Sequence, residues 1–265
     1  MKPSLIRFLL TVALVLPSFA SAQEPTPPPQ AVTAETKARP SATPKKRVIP
    51  LRTSESAITP SKLKAPKAYE HIVSRKAAGG IGVLLLGDSI IYWWPTKGPI
   101  SWERMAPWHP ANFGVPGDRT ENVLARIAHG ELDGIHPKVT VILIGTNNIG
   151  GSRTEEKPEW VAAGIKKIVE AVHEKLPETK VLLVGVFPRG DNPTDPMRKK
   201  ITEINKLIAP LAAGDKTRFL DITEVFLNDK GKLPRTIMPD VLHPNEEGYK
   251  LWYQAIKPTV DEMMK

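Results

Sequence analysis

The chain is expected to fold as an α/β domain around a parallel sheet, and three observations lead there. Short apolar runs read as strands: VLLL at 83–86 fits one buried on both faces, and KVTVILI at 138–144 is another strand. Segments of helical period alternate with them; at 160–176, Val161, Ile165, Ile168, Val169, Val172 and Leu176 share one face. Strands alternating with helices imply a parallel sheet with helical crossovers. Residues 68–265 suffice for one core of ordinary size, and no internal repeat is visible.

In chain order, 68–78 reads as a short helix feeding the first strand at 83–86. Gly87 ends that strand, and Asp88 and Ser89 follow at its carboxyl end, where an open parallel sheet binds ligands. Ser89 is therefore a candidate nucleophile, with a helix cap by Asp88 or Ser89 as the plainer reading. A Trp- and Pro-rich stretch covers 93–110, a second strand 111–115, and a helix 120–129. The third strand, 138–144, ends at Gly145-Thr146-Asn147-Asn148. After the helix at 160–176 come a fourth strand at 180–187, a helix at 197–211 and a short fifth strand at 218–221. Pro244 is expected to open a last helix running to Lys257, with Pro at its first position and Glu246 and Glu247 in its first turn.

The first 67 residues have a different character. Lys2 and Arg7, an apolar run from Phe8 to Leu16 and Ala20-Ser21-Ala22 form the three parts of a secretory signal, so 1–22 is expected to be cleaved after Ala22, an uncleaved anchor being the alternative. The chain is then expected to be secreted or periplasmic. Residues 23–67 are rich in Pro, Thr, Ser, Ala and Lys without a hydrophobic period, which reads as a disordered linker. The S-x-x-K match at Ser61–Lys64 falls in this polar setting and reads as chance.

The net charge of +9 does not mark a nucleic-acid binder. Residues 1–67 hold 11 Lys and Arg against 3 Asp and Glu, whereas 68–265 hold 26 against 25. The basic linker can loosely attract an anionic surface, an effect that salt screens, or act only as a solvated tether. With no cysteine there is no disulfide or thiolate chemistry. No HExxH or similar spacing suggests a metal, and no cofactor is expected. Ser89 is not in a G-x-S-x-G elbow, which argues against an α/β-hydrolase.

Four short stretches fall after strands or just before a helix: Gly87-Asp88-Ser89, GVPGD at 114–118, Gly145-Thr146-Asn147, and Asp240-Val241-Leu242-His243. Singly each has a plain reading. Gly117 suits a turn, Asn147 a cap or turn, Asp240 a helix cap, and His243 the surface. Together, in this order, they resemble the SGNH (GDSL) hydrolase superfamily, and in particular its platelet-activating-factor acetylhydrolase branch. NFGVPGDRTENVLARI at 112–127, GELDGIHPKV at 130–139, GTNN, PRG at 188–190 and DVLH carry the likeness. Two departures are Asn148, where many relatives have Asp, and Pro116, where the branch has Gly.

The resemblance implies a three-layer α/β/α flavodoxin-like fold with a five-stranded sheet of order 2-1-3-4-5. It implies Ser89 as nucleophile, His243 as general base and Asp240 as its orienting carboxylate. The oxyanion-hole donors would be Ser89, Gly117 and Asn147. A serine hydroxyl needs a base to take its proton. His serves near neutral pH, and a carboxylate fixes its tautomer. His243 precedes Pro244, which favours presentation from an extended loop. His109, His129, His136 and His173 match no motif and read as structural or solvated. Trp93, Trp94 and Trp102 can wall a substrate pocket or pack in the core, core being favoured for two of the three. Arg189 can meet an anionic substrate group or sit in an ion pair. Loops 148–160 and 189–196 are expected to shape the substrate side.

The resulting expectation is a secreted serine esterase acting on short acyl esters, above all acetyl, with acetylated carbohydrates as the leading partner. Phospholipid acyl esters (a lysophospholipase-type activity) are the alternative, and a catalytically silent polysaccharide-binding module is the rival from another class. Oligomeric state is open, a homodimer being compatible.

Overall fold

The computed structural model describes residues 53–150 and 156–265. The expected signal segment, the linker through 52 and part of the 148–160 loop lie outside the described residues. Five strands form one sheet: β1 (Val83–Gly87), β2 (Pro110–Gly114), β3 (Val139–Leu143), β4 (Lys180–Val184) and β5 (Thr217–Leu220). Every pairing is parallel and the order is β2-β1-β3-β4-β5. The chain leaves β1 to build β2 on one side and then returns to add β3 on the other. That reversal opens a crevice at the carboxyl ends of β1 and β3.

The helices are α1 (Glu70–Ala78), α2 (Ser89–Tyr92), α3 (Trp94–Lys97), α4 (Pro99–Glu103), α5 (Thr120–Ala128), α6 (Thr146–Ile149), α7 (Pro158–Lys175), α8 (Pro196–Ile208) and α9 (Glu246–Met263). The pleat of β1 sorts its side chains between two layers. Leu84 and Leu86 join Ile72 of α1, Val123 and Ile127 of α5, Ile165 and Ile168 of α7, and Ile204 of α8. Val83 and Leu85 join Ile91, Trp94 and the α9 residues Trp252, Ile256 and Val260. All five β1 residues are buried, as the unbroken apolar run requires.

Three expectations are corrected. The last helix starts two residues later than expected, at Glu246 rather than Pro244, and also ends later. Asn245 is its cap, with Oδ1 accepting from Gly248 N at 3.1 Å, so Pro244 lies outside the helix. The helix then continues through Pro258 to Met263. Proline removes one helical N–H bond, but Ile256, Val260 and Met263 keep the apolar face buried across it. The fourth strand stops at Val184 rather than Phe187, because Asn205 takes over the backbone beyond it, bonding Val186 N and C=O at 2.8 and 3.2 Å.

The third correction concerns the inner part of the expected linker. Residues 53–67 lie against the domain. Ala57 is fully buried, and its C=O accepts from Thr120 Oγ1 at 2.8 Å. Ser61 N donates to Glu121 C=O at 3.0 Å, and Asn122 Nδ2 to Ser61 Oγ at 2.8 Å. Polar contacts to distant residues order this segment, and a hydrophobic period along the sequence cannot reveal them.

Candidate active site

β1 delivers the central residue. After Gly87 the chain turns into α2, and Asp88 caps that helix by accepting from Ile90 N with Oδ1 at 2.9 Å. The cap is therefore Asp88, and Ser89 is free for other work. Ser89 Oγ lies 3.0 Å from His243 Nε2, and His243 Nδ1 lies 2.6 Å from Asp240 Oδ2. The structure thus brings together three residues spread over more than half the chain. Ser89 is 5% exposed, and the side chains of His243 and Asp240 are 12% and 54% exposed. The nucleophile candidate is sheltered while the far carboxylate meets water.

The loop before α9 holds the histidine. Asp240 Oδ1 accepts from Leu242 N and His243 N at 3.2 and 2.8 Å, so one carboxylate grips both the backbone and the ring of His243. Burial works to raise the Asp240 pKa, but the His243 hydrogen bonds outweigh it and hold the carboxyl below its ordinary value. Val241, between the two residues, has φ of +53°, a conformation unfavourable for a β-branched side chain. Its C=O accepts from Gly190 N at 3.1 Å, which helps keep the turn in place. The Trp93 ring stands edge-on to His243 with centroids 4.5 Å apart.

Asn147 enters from α6. Its Nδ2 donates to Asp118 C=O at 2.8 Å and makes a longer 3.4 Å contact with Asp88 Oδ2. One amide hydrogen is therefore firmly held, and the second has only a weak acceptor to give up. Gly117 lies in the exposed turn after β2 with φ of +73°, which suits glycine. Among the described residues its N–H has no hydrogen-bond partner. The end of β2 also packs tightly on α2: a Cβ on Gly114 would lie 2.3 Å from Tyr92 N.

Trp94 is corrected as a substrate contact. It is fully buried, stacked on Trp252 at 4.0 Å, with Nε1 donating to Ser101 Oγ at 2.9 Å. Trp102 is half-buried against the same cluster, so Trp93 alone of the three lies at His243. Arg189 is half-buried, and its Nη1 donates to Thr146 C=O and Oγ1 at 3.1 and 3.3 Å. It ties the start of α6 to the loop that meets Val241.

Several residues at the site had no assigned role in the sequence. Arg126 and Asp118, both within the 112–127 block, form a buried pair at 2.8 Å. Arg126 also donates to Glu131 and, through Nη2, to the C=O groups of Gly87 and Phe113 at 3.3 Å. The signal for Arg126 was a charged residue inside the apolar run 123–128 of α5; Asp118, ahead of the helix, had none. Asn148 is fully buried, and its Nδ2 faces Glu156 and Glu121 at 2.7 and 3.3 Å. An aspartate there would add a carboxylate to two others; the amide donates instead.

Asp88 is 1% exposed, and burial pushes its carboxyl up to about 7. The Ile90 N–H, Arg189 and Lys64 pull it back, while the charge of Asp118 adds to the rise. The ordinary value of such a carboxyl is 3.8. Between those values the folded protein keeps a proton that the unfolded chain has released. The stabilisation is complete below about pH 4 and is lost as pH rises through about 7. Asp88→Asn, which keeps a cap acceptor, is expected to remove this slope. Relative to the parent, the variant should gain stability from pH 5 to pH 8, by at most about 1.4 kcal/mol per pH unit. Urea midpoints across that range check it, and parallel profiles would contradict it.

Among the described residues, no cluster of three or more His, Asp and Glu is placed to hold a metal ion. No described helix is long and apolar enough to cross a membrane.

Comparison with known proteins gives a consistent result. The model of the GDSL-like lipase/acylhydrolase family matches residues 85–251. The chain is 38% identical over 168 residues to platelet-activating factor acetylhydrolase IB subunit alpha1 of Homo sapiens, covering 63% of this chain and 70% of that one. Two similar solved structures are a GDSL-like lipase from Bacteroides thetaiotaomicron and a carbohydrate acetylesterase from Sinorhizobium meliloti. The first has a TM-score of 0.62 at 20% identity, covering 73% of this chain and 97% of the other. The second has a TM-score of 0.54 at 19% identity, covering 69% and 100%.

Proposed function

This chain belongs to the GDSL-like lipase/acylhydrolase family and is a carboxylic ester hydrolase, and we propose that it removes short acyl groups, above all acetyl, from carbohydrate esters outside the cytoplasm. The observation that carries the catalytic part is the relay from Ser89 Oγ to His243 Nε2 at 3.0 Å and from His243 Nδ1 to Asp240 at 2.6 Å. Ser89 attacks the ester carbonyl as His243 takes its proton. The C–O bond to the alcohol breaks as the tetrahedral intermediate collapses, and His243 returns the proton to the leaving alkoxide. Water, deprotonated by His243, then cleaves the acyl-enzyme and releases the acid. Asp240 keeps the ring oriented and stabilises the imidazolium.

The oxyanion of each intermediate is met by the N–H groups of Ser89 and Gly117 and by the amide hydrogen of Asn147 that its long contact with Asp88 holds only weakly. Trp93 borders the substrate beside His243. Asn147→Ala is expected to lower kcat by roughly 10²–10³ with a smaller change in KM, because the donor serves charge that develops during attack. Steady-state kinetics on p-nitrophenyl acetate test this; a change confined to KM would make Asn147 a ground-state contact instead.

Support for carbohydrate esters comes from the secretory pattern at 1–22 and from the acetylesterase neighbour. A second reading, an acetylated phospholipid, is favoured by the acetylhydrolase relative. Turnover of acetylated xylose and cello-oligosaccharides compared with 1-alkyl-2-acetyl phosphocholine decides between them. A silent binding module would take no label from a fluorophosphonate probe. Export is tested separately by N-terminal sequencing of protein recovered outside the cell, with cleavage after Ala22 expected.

A further inference from the structure

Lys64 belongs to the segment ahead of the family-matched residues 85–251. We propose that it is a positioning residue for the oxyanion hole, holding the turn that carries Gly117 and, through Asp118, the amide of Asn147. The proposal rests on the roles given above to Gly117 and Asn147. The Lys64 ammonium lies 2.6 Å from Pro116 C=O and 2.6 Å from Asp118 Oδ1, so it grips the residue on each side of Gly117.

The lysine is itself held. Its backbone N–H donates to the Tyr69 hydroxyl at 2.7 Å. The stretch before it is fastened to α5 through Ala57 and Ser61. Its side chain is 31% exposed, whereas that of Asp118 is fully buried. Asp118 is the relay: its C=O accepts the Asn147 amide at 2.8 Å, and its Oδ2 accepts from Arg126 Nε at 2.8 Å. Among the described residues Asp118 Oδ1 has no hydrogen-bond partner, and the charge that faces it is the Lys64 ammonium.

Without that charge, a buried carboxylate oxygen is left uncompensated, which is costly. The turn can relieve this by moving toward water. Gly117 N–H and the Asn147 amide move with it, and small misplacements of groups serving a transition state cost rate rather than binding. A segment that composition marks as a tether thus completes the catalytic end of the sheet.

The test uses the full chain with p-nitrophenyl acetate, each variant normalised by fluorophosphonate titration and checked for folding by circular dichroism. Lys64→Met is expected to lower kcat about tenfold or more, with KM within about twofold. Lys64→Arg should restore most of the rate, and in an Asn147→Ala background Lys64→Met should cost clearly less than it does alone. Should Lys64→Met not fold, Lys64→Gln carries the same comparison. A folded Lys64→Met with parental kcat, beside a damaged Asn147→Ala, overturns the role of Lys64 and leaves the oxyanion assignment standing. Fully multiplicative losses in the double variant also overturn it. If Asn147→Ala is itself without effect, the assignment of Asn147 fails and takes the role of Lys64 with it.

Discussion

Ser89→Ala is expected to reduce p-nitrophenyl acetate turnover to background and to abolish covalent labelling by a fluorophosphonate. Alanine leaves His243 with no hydroxyl to activate, and the next polar groups, Asp88 and Asn147, are committed to the α2 cap and to Asp118. Losing the nucleophile of such a unit costs on the order of 10⁶ in kcat. His243→Ala should cost nearly as much, because the hydroxyl is then at its unassisted reactivity. Asp240→Asn should be equal or milder: it removes the carboxylate that selects the tautomer but keeps a side chain that can still contact the ring. The double variant Ser89→Ala/His243→Ala should lose little beyond either single one, since the residues act as a unit. Folding should survive, because His243 and Asp240 sit on a loop and the Ser89 hydroxyl supports no other described contact. A folded Ser89→Ala protein that still turns over substrate and still takes the label would remove Ser89 as nucleophile and restore the binding-module reading.

What could be read without coordinates divides along physical lines. β1 was legible because a strand covered on both faces is apolar at every position, and β3 because its run is broken only by Thr140. Ser89, Asn147, Asp240 and His243 stood out as candidates because each follows a strand or precedes a helix, while their roles came only from the family likeness that the four stretches carry together. The register β2-β1-β3 then brings the ends of β1 and β3 side by side. Trp93 and Trp94 were not separable, since neighbours on a short helical turn point in different directions. One reaches the His243 ring and the other stacks on Trp252. The end of α9 was hidden by Pro258, where tertiary burial of Val260 and Met263 overrides a local breaker. Residues 53–67 were hidden for a different reason. Their order comes from single hydrogen bonds to Thr120, Glu121 and Asn122, which leave no period in the sequence.

Arg126→Met is expected to cause the largest loss of stability of any single change at this end of the sheet, about 3–5 kcal/mol. The guanidinium is 1% exposed and meets two carboxylates, Asp118 and Glu131, that are 0% and 6% exposed. Burial disfavours its charge, but the two carboxylates outweigh that and raise its pKa, so the arginine stays ionised. Methionine fills a similar volume, so the change reads the missing charge more than a cavity. Asp118 and Glu131 are then left facing each other in low dielectric, and the C=O groups of Gly87 and Phe113 lose their shared donor. Against a typical domain stability of about 5–15 kcal/mol, this brings the fold close to its limit. Arg126→Lys should recover only part, because one ammonium cannot reproduce the fork that meets two carboxylates and two carbonyls. Adding Asp118→Asn and Glu131→Gln to Arg126→Met should regain stability, since neutral amides no longer need a buried cation. Urea unfolding followed by tryptophan fluorescence measures all three. A loss below about 1 kcal/mol for Arg126→Met, or no recovery in the triple variant, would mean that the pair is solvated on its own and that the strand ends beside Ser89 are held by packing alone.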